Sequence, residues 1–243
     1  MMQTRRLYER HAAAADRGGW SVERDVRWRE IDPALAHARP DILAALRDAA
    51  IIESFHPVNL CRLIRLCRED VDAGVVFSLE MYEGFKHFHA LRLYLDAVGH
   101  EPAITDDELA TVRRHAPDDV DPTEVVPRLV EFMLSEHLAA YFFRRLGERA
   151  REPVLAELLD WIAADEVRHA QSASDLLEKR IRAEPAVIPA VLDAAAGFRH
   201  YGAEAVGEVP VAMAGDDLAI RTFARRVERL CGVRLVDHLK STL

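Results

Sequence analysis

The sequence predicts an all-α protein: an antiparallel four-helix bundle with additional N- and C-terminal helices. Three observations carry that expectation. Ala, Leu, Arg and Glu, all good helix formers, dominate, while β-branched and aromatic runs are few and no segment alternates with period two. Apolar residues instead recur with the 3.6-residue period over four long stretches, at about 41–68, 70–99, 123–149 and 151–183. Helix-breaking and helix-starting residues stand where those stretches begin and end.

The first helix starts at Asp41 after Pro40, and Pro57 inside it predicts a kink or a split. Gly99 reads as the C-terminal stop of the second. The polar connector "HEPAITDDELATVRRHAPDDVDP" carries a short helix near 105–115, and Pro153 fits the first turn of the fourth long helix. Shorter helices follow at about 187–206 and 215–231, and "WSVERDVRWREIDPALA" is expected to pack Trp20 and Trp28 on the bundle. A chain of 243 residues, 50% hydrophobic, buries one large core and little more. Residues 1–243 therefore read as a single domain, with the core bundle at about 41–183 and extra helices at about 187–240.

The bulk numbers exclude several classes. A net charge of −9 argues against a dedicated nucleic-acid binder, whose affinity rests on neutralising phosphates. The local arginine clusters "CRLIRLCR" and "YFFRRLGERAR" read as solvated helix faces. No apolar run reaches the length of a membrane span, and "MMQTRRLYERHAAAADRGG" lacks a secretory signal. Cys61, Cys67 and Cys231, odd in number and without a CxxC, suit reduced thiols in a cytoplasm with core-packing roles.

What does not fit a plain bundle is a set of acids on the apolar stripes. Glu53 shares a helix face with Leu46, Ala49, Leu60 and Ile64, and Glu136 with Leu129, Phe132, Met133 and Phe143. On the second helix Glu80, Glu83 and His87 lie with Val76, Leu91 and Tyr94. On the fourth, "DWIAADEVRHAQSASDLLEKR" sets Glu166 and His169 among leucines. Glu53 to Glu83 and Glu136 to Glu166 are each 30 positions apart, so the chain reads as two helical hairpins, each with a lone Glu followed by a Glu and a His. Burying an unpaired carboxylate costs on the order of tens of kcal/mol in the idealised limit, and few Lys or Arg lie on these stripes. Two divalent metals would neutralise the acids and use both imidazoles, the layout of dimetal carboxylate bundles. A lone Glu-x-x-His is common in helices, and hydrogen-bonded core polar groups remain the alternative. Glu80 is assigned to an outer or surface role, His89 and His137 to solvent-facing or hydrogen-bonded positions. His56, in "ESFHP", is left open between a structural histidine and an extra ligand.

These stretches resemble the ferritin-like di-iron carboxylate proteins, and among them the soluble acyl-carrier-protein desaturases. "IAADEVRH" and "LLEKR" resemble that family's fourth-helix signature, "ESFHP" the stretch bearing the first ligand, "HALRLYLDAVG" the end of the second helix, and "FMLSEHLAAYFF", more weakly, the third. The resemblance spans roughly residues 40 to 235. It implies metal ligation by Glu53, His87, Glu136, Glu166 and His169, with Glu166 and its second-helix counterpart bridging. The family's second Glu-x-x-His is broken here, because Gly84 stands three residues before His87. Glu83 is the expected replacement, reaching inward through a π-bulge, with Glu80 or His56 as substitutes.

The resemblance further implies two iron ions, with manganese possible, that activate O₂ to abstract hydrogen from an apolar, acyl-chain-like or carrier-bound substrate by desaturation or hydroxylation. It implies no catalytic residue beyond the metal centre, a ferredoxin-like electron donor, and a homodimer. No flavin or nicotinamide fingerprint is present. N-oxygenation of an amine, ferroxidase or metal-binding activity without an organic substrate, and a non-catalytic helical protein stand as alternatives.

Overall fold

The computed structural model describes residues 6–114, 121–206 and 217–241. Its described residues form helices and turns, with no strand among them. Four long helices make the core: α3 (Pro40–Leu66), α4 (Val71–Ala97), α6 (Val125–Arg149) and α7 (Pro153–Ala183). Short turns join α3 to α4 and α6 to α7, so each pair is an antiparallel hairpin, and one long crossover links the hairpins. Around the core lie α1 (Leu7–Gly18), α2 (Pro33–His37), α5 (Asp106–Arg114), α8 (Ile188–Ala196), α9 (Ala203–Val206), α10 (Asp217–Cys231) and α11 (Leu235–Ser241).

The helix ends follow the residues expected to set them. Pro40 and Pro153 occupy first turns, where a missing N–H costs nothing. Gly99, at φ +65°, closes α4: the amides of Gly99 and His100 donate to the Asp96 and Leu95 carbonyls at 3.0 and 2.9 Å. That paired pattern needs a left-handed residue, which glycine adopts without strain. Glu152 caps α7, its buried carboxylate accepting from the Leu155 amide at 2.8 Å and from the Tyr94 hydroxyl at 3.2 Å.

Some expectations are corrected. Helix α3 runs unbroken through Pro57; the carbonyl of Ser54, three residues earlier, accepts from Arg113 at 2.8 Å, which supports the turn that proline weakens. The segment expected as one helix at 187–206 breaks at Gly197 into α8 and α9. No helix was expected at 7–18, yet α1 forms there; it is amphipathic and lies along α4 and α7. Positions 115, 215 and 216 of the expected helices fall outside the described residues. Trp20 and Trp28 pack against the core as expected. Cys67 and Cys231 are buried, but Cys61 is exposed and does not serve the core. No helix among the described residues is long and apolar enough to cross a membrane.

Removing the α7 cap tests how the second hairpin is held. Glu152→Ala leaves the Leu155 amide and the Tyr94 hydroxyl without their acceptor inside the core. It should destabilise the chain by about 1–3 kcal/mol in urea unfolding, with helix content unchanged.

Candidate metal centre

Each core helix delivers side chains to one level of the bundle. Helix α3 supplies Glu53 and His56, one turn apart and so on one face. Helix α4 supplies His87, α6 supplies Glu136, and α7 supplies Glu166 and His169, again one turn apart. All six are buried. They gather as two groups, Glu53–His87–Glu166 and His56–Glu136–His169, with potential ligand atoms inside each group within 4.8 Å of one another. His87 Nδ1 lies 2.9 Å from Glu166 Oε1 and 3.6 Å from Glu53 Oε2. His169 Nδ1 lies 3.1 Å from Glu166 Oε2 and 3.4 Å from Glu136 Oε2. Glu166 thus stands between the groups.

The donor atoms turned inward are short of partners. Glu53 Oε2, His56 Nε2, His87 Nδ1, Glu136 Oε2 and Glu166 Oε1 are all buried without a hydrogen bond. Native interiors keep such groups paired, so five orphans converging on one spot need an explanation. Three carboxylates and three imidazoles are the donors that iron, manganese or zinc accept. The residues fit a pair of divalent ions.

Gly84 explains how His56 comes to be among them. A Cβ built at Gly84 would stand 2.6 Å from His56 Cδ2 and 2.8 Å from Cγ, closer than packed atoms approach. The imidazole from α3 therefore occupies the space that any side chain at position 84 would fill. Its Nδ1 faces the Tyr201 hydroxyl at 3.0 Å, and that hydroxyl donates to Glu136 Oε1 at 2.9 Å. If the hydroxyl proton goes to Glu136, its oxygen accepts the Nδ1 proton of His56. The lone pair on Nε2 then faces the centre.

A second ring of charge surrounds the first. His87 Nε2 donates to Asp165 Oδ2 at 3.0 Å, and His169 Nε2 to Glu83 Oε2 at 2.9 Å. Arg168 joins these two acids, 2.6 Å from Glu83 and 2.7 Å from Asp165. Asp165 also accepts from the Trp20 indole at 2.9 Å and pairs with buried Lys86 at 3.0 Å. The Lys86 ammonium sits 4.3 Å above the Trp20 ring. Carboxylates on the outer nitrogens orient both rings and turn Nδ1 inward, unbonded in His87 and against Glu166 Oε2 at 3.1 Å in His169.

The titration behaviour follows from this packing. Burial opposes the charge on Asp165, but His87, then Lys86 and Arg168, outweigh it and hold the acid well below the carboxylate range. Burial pushes Glu53 up, and pushes Glu136 up to about 7 with the charge of Glu166 adding to it. Burial also lowers His56 to about 4. His87 and His169 are raised well above the usual value, because the surrounding acids outweigh burial. Glu80, buried beside Ser172, which donates to it, is pushed up to about 8.

Comparison with known proteins bears on the architecture. No family profile and no curated protein sequence matches the chain. Solved structures do. An R2-like ligand-binding oxidase variant with an anaerobically reconstituted Mn/Fe cofactor superposes with TM-score 0.67 at 14% identity, covering 96% of this chain and 94% of its own. A second such Mn/Fe variant gives 0.68 at 14% over the same shares. A third, with an aerobically reconstituted Fe/Fe cofactor, gives 0.66 at 14%, covering 97% and 94%. The fold is the ferritin-like bundle.

Of the residues singled out in the sequence, the structure brings together Glu53, His56, His87, Glu136, Glu166 and His169. It leaves Glu83 and Glu80 outside both groups. Helix α4 continues as regular α-helix through this region, without the π-bulge, so Glu83 meets the outer nitrogen of His169 instead of the centre. Glu80 is buried and not at the surface. His137 is buried and hydrogen-bonded to Thr222 at 3.1 Å, and His89 stacks on Phe85. Lys86 and Arg168 reach the acids from positions off the apolar stripes, where the sequence reading did not look for cations. Each sits one residue before a site histidine, off the stripe, and reaches in along a long side chain. Sequence reasoning missed Asp165, Arg168, Lys86, Trp20 and Tyr201. The run "DEVRH" carried a signal for two of these, since Asp165 and Arg168 repeat the three-residue spacing of Glu166 and His169 one position earlier.

Two measurements on the metal-free chain test these electrostatics. Asp165→Asn strips the buried Lys86 and His87 of their shared counter-charge and should cost about 3–5 kcal/mol in urea unfolding. His137 is held at about 4, below its ordinary 6.5, because burial and Arg226 disfavour its charged form. A depressed histidine stays neutral in the folded state while the unfolded chain takes up the proton. Its contribution is therefore complete above pH 6.5 and is lost as pH falls toward 4. Glu80 and Glu136, raised by burial, act in the opposite sense, so the test is a difference. His137→Gln should lose less stability than the parent chain between those pH values, by on the order of 1–3 kcal/mol.

Proposed function

We propose that this protein is an oxygen-activating dimetal oxidase that holds two ions, iron with iron or manganese with iron, between its core helices. The observation carrying the proposal is the set of five buried, unbonded donor atoms converging from Glu53, His56, His87, Glu136 and Glu166. Glu53, His87 and Glu166 would hold one ion, and His56, Glu136 and His169 the other, with Glu166 placed to reach both. His56 supplies the donor that Gly84 withholds. The first group is richer in carboxylate, which suits manganese, and the second richer in imidazole, which suits iron. The Mn/Fe and Fe/Fe cofactors of the R2-like ligand-binding oxidases that share the fold agree with this reading.

When bound, adjacent redox-active ions supply electrons to O₂ and an oxidant strong enough to take hydrogen from an unactivated C–H bond. The chain's own residues do the rest. Asp165 and Glu83 hold the imidazoles of His87 and His169 in one tautomer. Tyr201 holds Glu136 and His56. Phe55, Phe77, Phe132 and Phe143 are fully buried in the bundle core, and the apolar interior keeps water from the site. An apolar substrate, acyl-chain-like or carrier-bound, and a ferredoxin-like electron donor complete the proposal, with desaturation or hydroxylation as the reaction. A homodimer is proposed as its working form.

Metal analysis tests the site directly. Protein produced with iron and manganese supplied should carry about two ions per chain. Glu166→Ala and Glu136→Ala should lose bound metal while keeping helix content. Gly84→Ala, whose Cβ displaces His56, should lose one ion and keep the other. If both glutamate variants retained full metal, this reading would be wrong.

A further inference from the structure

The arginine run "YFFRRLGERAR" of α6 borders a cavity of about 150 Å³ that α7 and α10 close from the other sides. His137, Tyr141 and Arg144 of α6 and Arg226 of α10 supply its polar lining, and Ala140, Val167 and Ala170 its apolar floor. Among the described residues no Asp or Glu lines it. A cavity of this size takes a guest about as large as benzene.

The donors on it are largely unspent. Arg226 uses one of its three nitrogens: Nη1 donates to the Ala170 carbonyl at 3.1 Å and to Gln171 at 3.5 Å. Its Nε is sealed in without an acceptor, and Nη2 makes no hydrogen bond. Arg144 has no ion pair, and the Tyr141 hydroxyl no hydrogen-bond partner, among the described residues. Asp175 is the acid whose field reaches Arg226, but Gln171 at 2.7 Å, His11 at 3.1 Å and Arg10 at 3.6 Å already hold it. Arg229 adds positive charge nearby. Burial and Arg229 disfavour the charge on Arg226, yet arginine keeps its proton in a protein. A half-buried cation that lacks a carboxylate is costly unless an anion supplies the missing charge.

We propose that this cavity binds the phosphate of a small phosphate monoester, with Arg226, Arg144 and the Tyr141 hydroxyl as donors. A phosphate monoester carries a charge of about −1.5 to −2 near pH 7 and three acceptor oxygens, which match two guanidinium groups and a phenol. A carboxylate brings less charge and fewer oxygens. The receiving groups are open: Arg144 is exposed at the mouth and Arg226 is half-buried. The inference goes beyond the oxidase reading and does not depend on it. His137, Val167 and Ala170 each follow Glu136, Glu166 or His169 by one position, which turns them about 100° away from the centre.

Calorimetric titration of the full chain with methyl phosphate, inorganic phosphate and acetate tests the site. Methyl phosphate should bind at least about tenfold more tightly than acetate, and added NaCl should weaken it. Arg226→Gln and Arg144→Gln should each weaken methyl phosphate by about tenfold or more, the loss of one hydrogen bond between charged groups. Arg225→Gln, exposed on the same helix and off the cavity, should leave binding unchanged. Arg144 is exposed, so its variant decides alone should Arg226→Gln fail to fold. The inference is overturned if methyl phosphate does not bind, if acetate matches it, or if Arg225→Gln weakens it as much as the lining variants do. Inorganic phosphate bound about tenfold more tightly than methyl phosphate would overturn the monoester in favour of the free ion. Glu166→Ala, expected to lose the metal, should bind methyl phosphate as the parent does. Binding lost along with the metal would place the anion on the ions and overturn this site, while unchanged metal in Glu166→Ala overturns only the oxidase reading.

Discussion

Everything in this bundle answers to the burial of Glu53, Glu136 and Glu166 at one level of an otherwise apolar core. Three carboxylates in a dry interior repel one another and lack the water that would stabilise their charge. The chain meets that constraint in two layers. Three imidazoles are interleaved with the acids, and Glu83 and Asp165 hold two of these imidazoles from outside. Lys86 and Arg168 then balance the outer acids, so the three inner carboxylates have no lysine or arginine beside them. A cluster built merely to be stable would spread its cations inward. This one keeps its lysine and arginine out and leaves as inner cations only the imidazoles of His87 and His169, whose protons a divalent ion would displace.

The packing of His56 on Gly84 shows how local sterics decide which side chains meet that constraint. With glycine at position 84, α4 brings only His87 to the two groups, one donor and no carboxylate. The glycine leaves a hollow that any side chain would close, and His56 of the neighbouring helix fills it. Neither feature is tolerable alone: His56 cannot sit there against a side chain, and the hollow without His56 would be a void beside buried charge. The result is a centre with two unequal halves, one carboxylate-rich and one imidazole-rich.

The fold was legible in the sequence because its signals are local. Period, capping and breakers place the four long helices to within a few residues, and Gly99, Pro40 and Pro153 end or begin them as read. The site was legible where spacing alone decides direction, as with Glu166 and His169 on one face of α7. It failed where direction depends on a neighbouring helix. The equal 30-residue intervals suggested Glu83 as the fourth acid, but a one-residue offset turns a helical side chain by about 100°. That offset leaves Glu83 against the outer face of His169. His56 could not be assigned from α3 by itself, since its role is settled by the absent side chain at Gly84. Tyr201 could not be found at all. It lies 65 positions from the Glu136 it binds, in a turn with no periodic signal.

Tyr201 also indicates what the segments outside the four core helices contribute. The N-terminal segment sends in Trp20, which holds Asp165 and roofs Lys86. The crossover between the hairpins sends Arg113 to the carbonyl of Ser54, in the turn of α3 that carries both Glu53 and His56 and precedes Pro57. The C-terminal segment sends Tyr201 to Glu136 and His56. Each contact falls on an inward-facing side chain, on the turn that carries one, or on the acid that holds one from behind, and each comes from outside the four core helices. A four-helix core fixes the depth of its inward residues but leaves their rotamers free about the last torsions. Ligands for metal must be held far more closely than packing requires. The segments outside the four core helices are therefore not ballast on a minimal bundle; they remove rotational freedom that the core helices cannot.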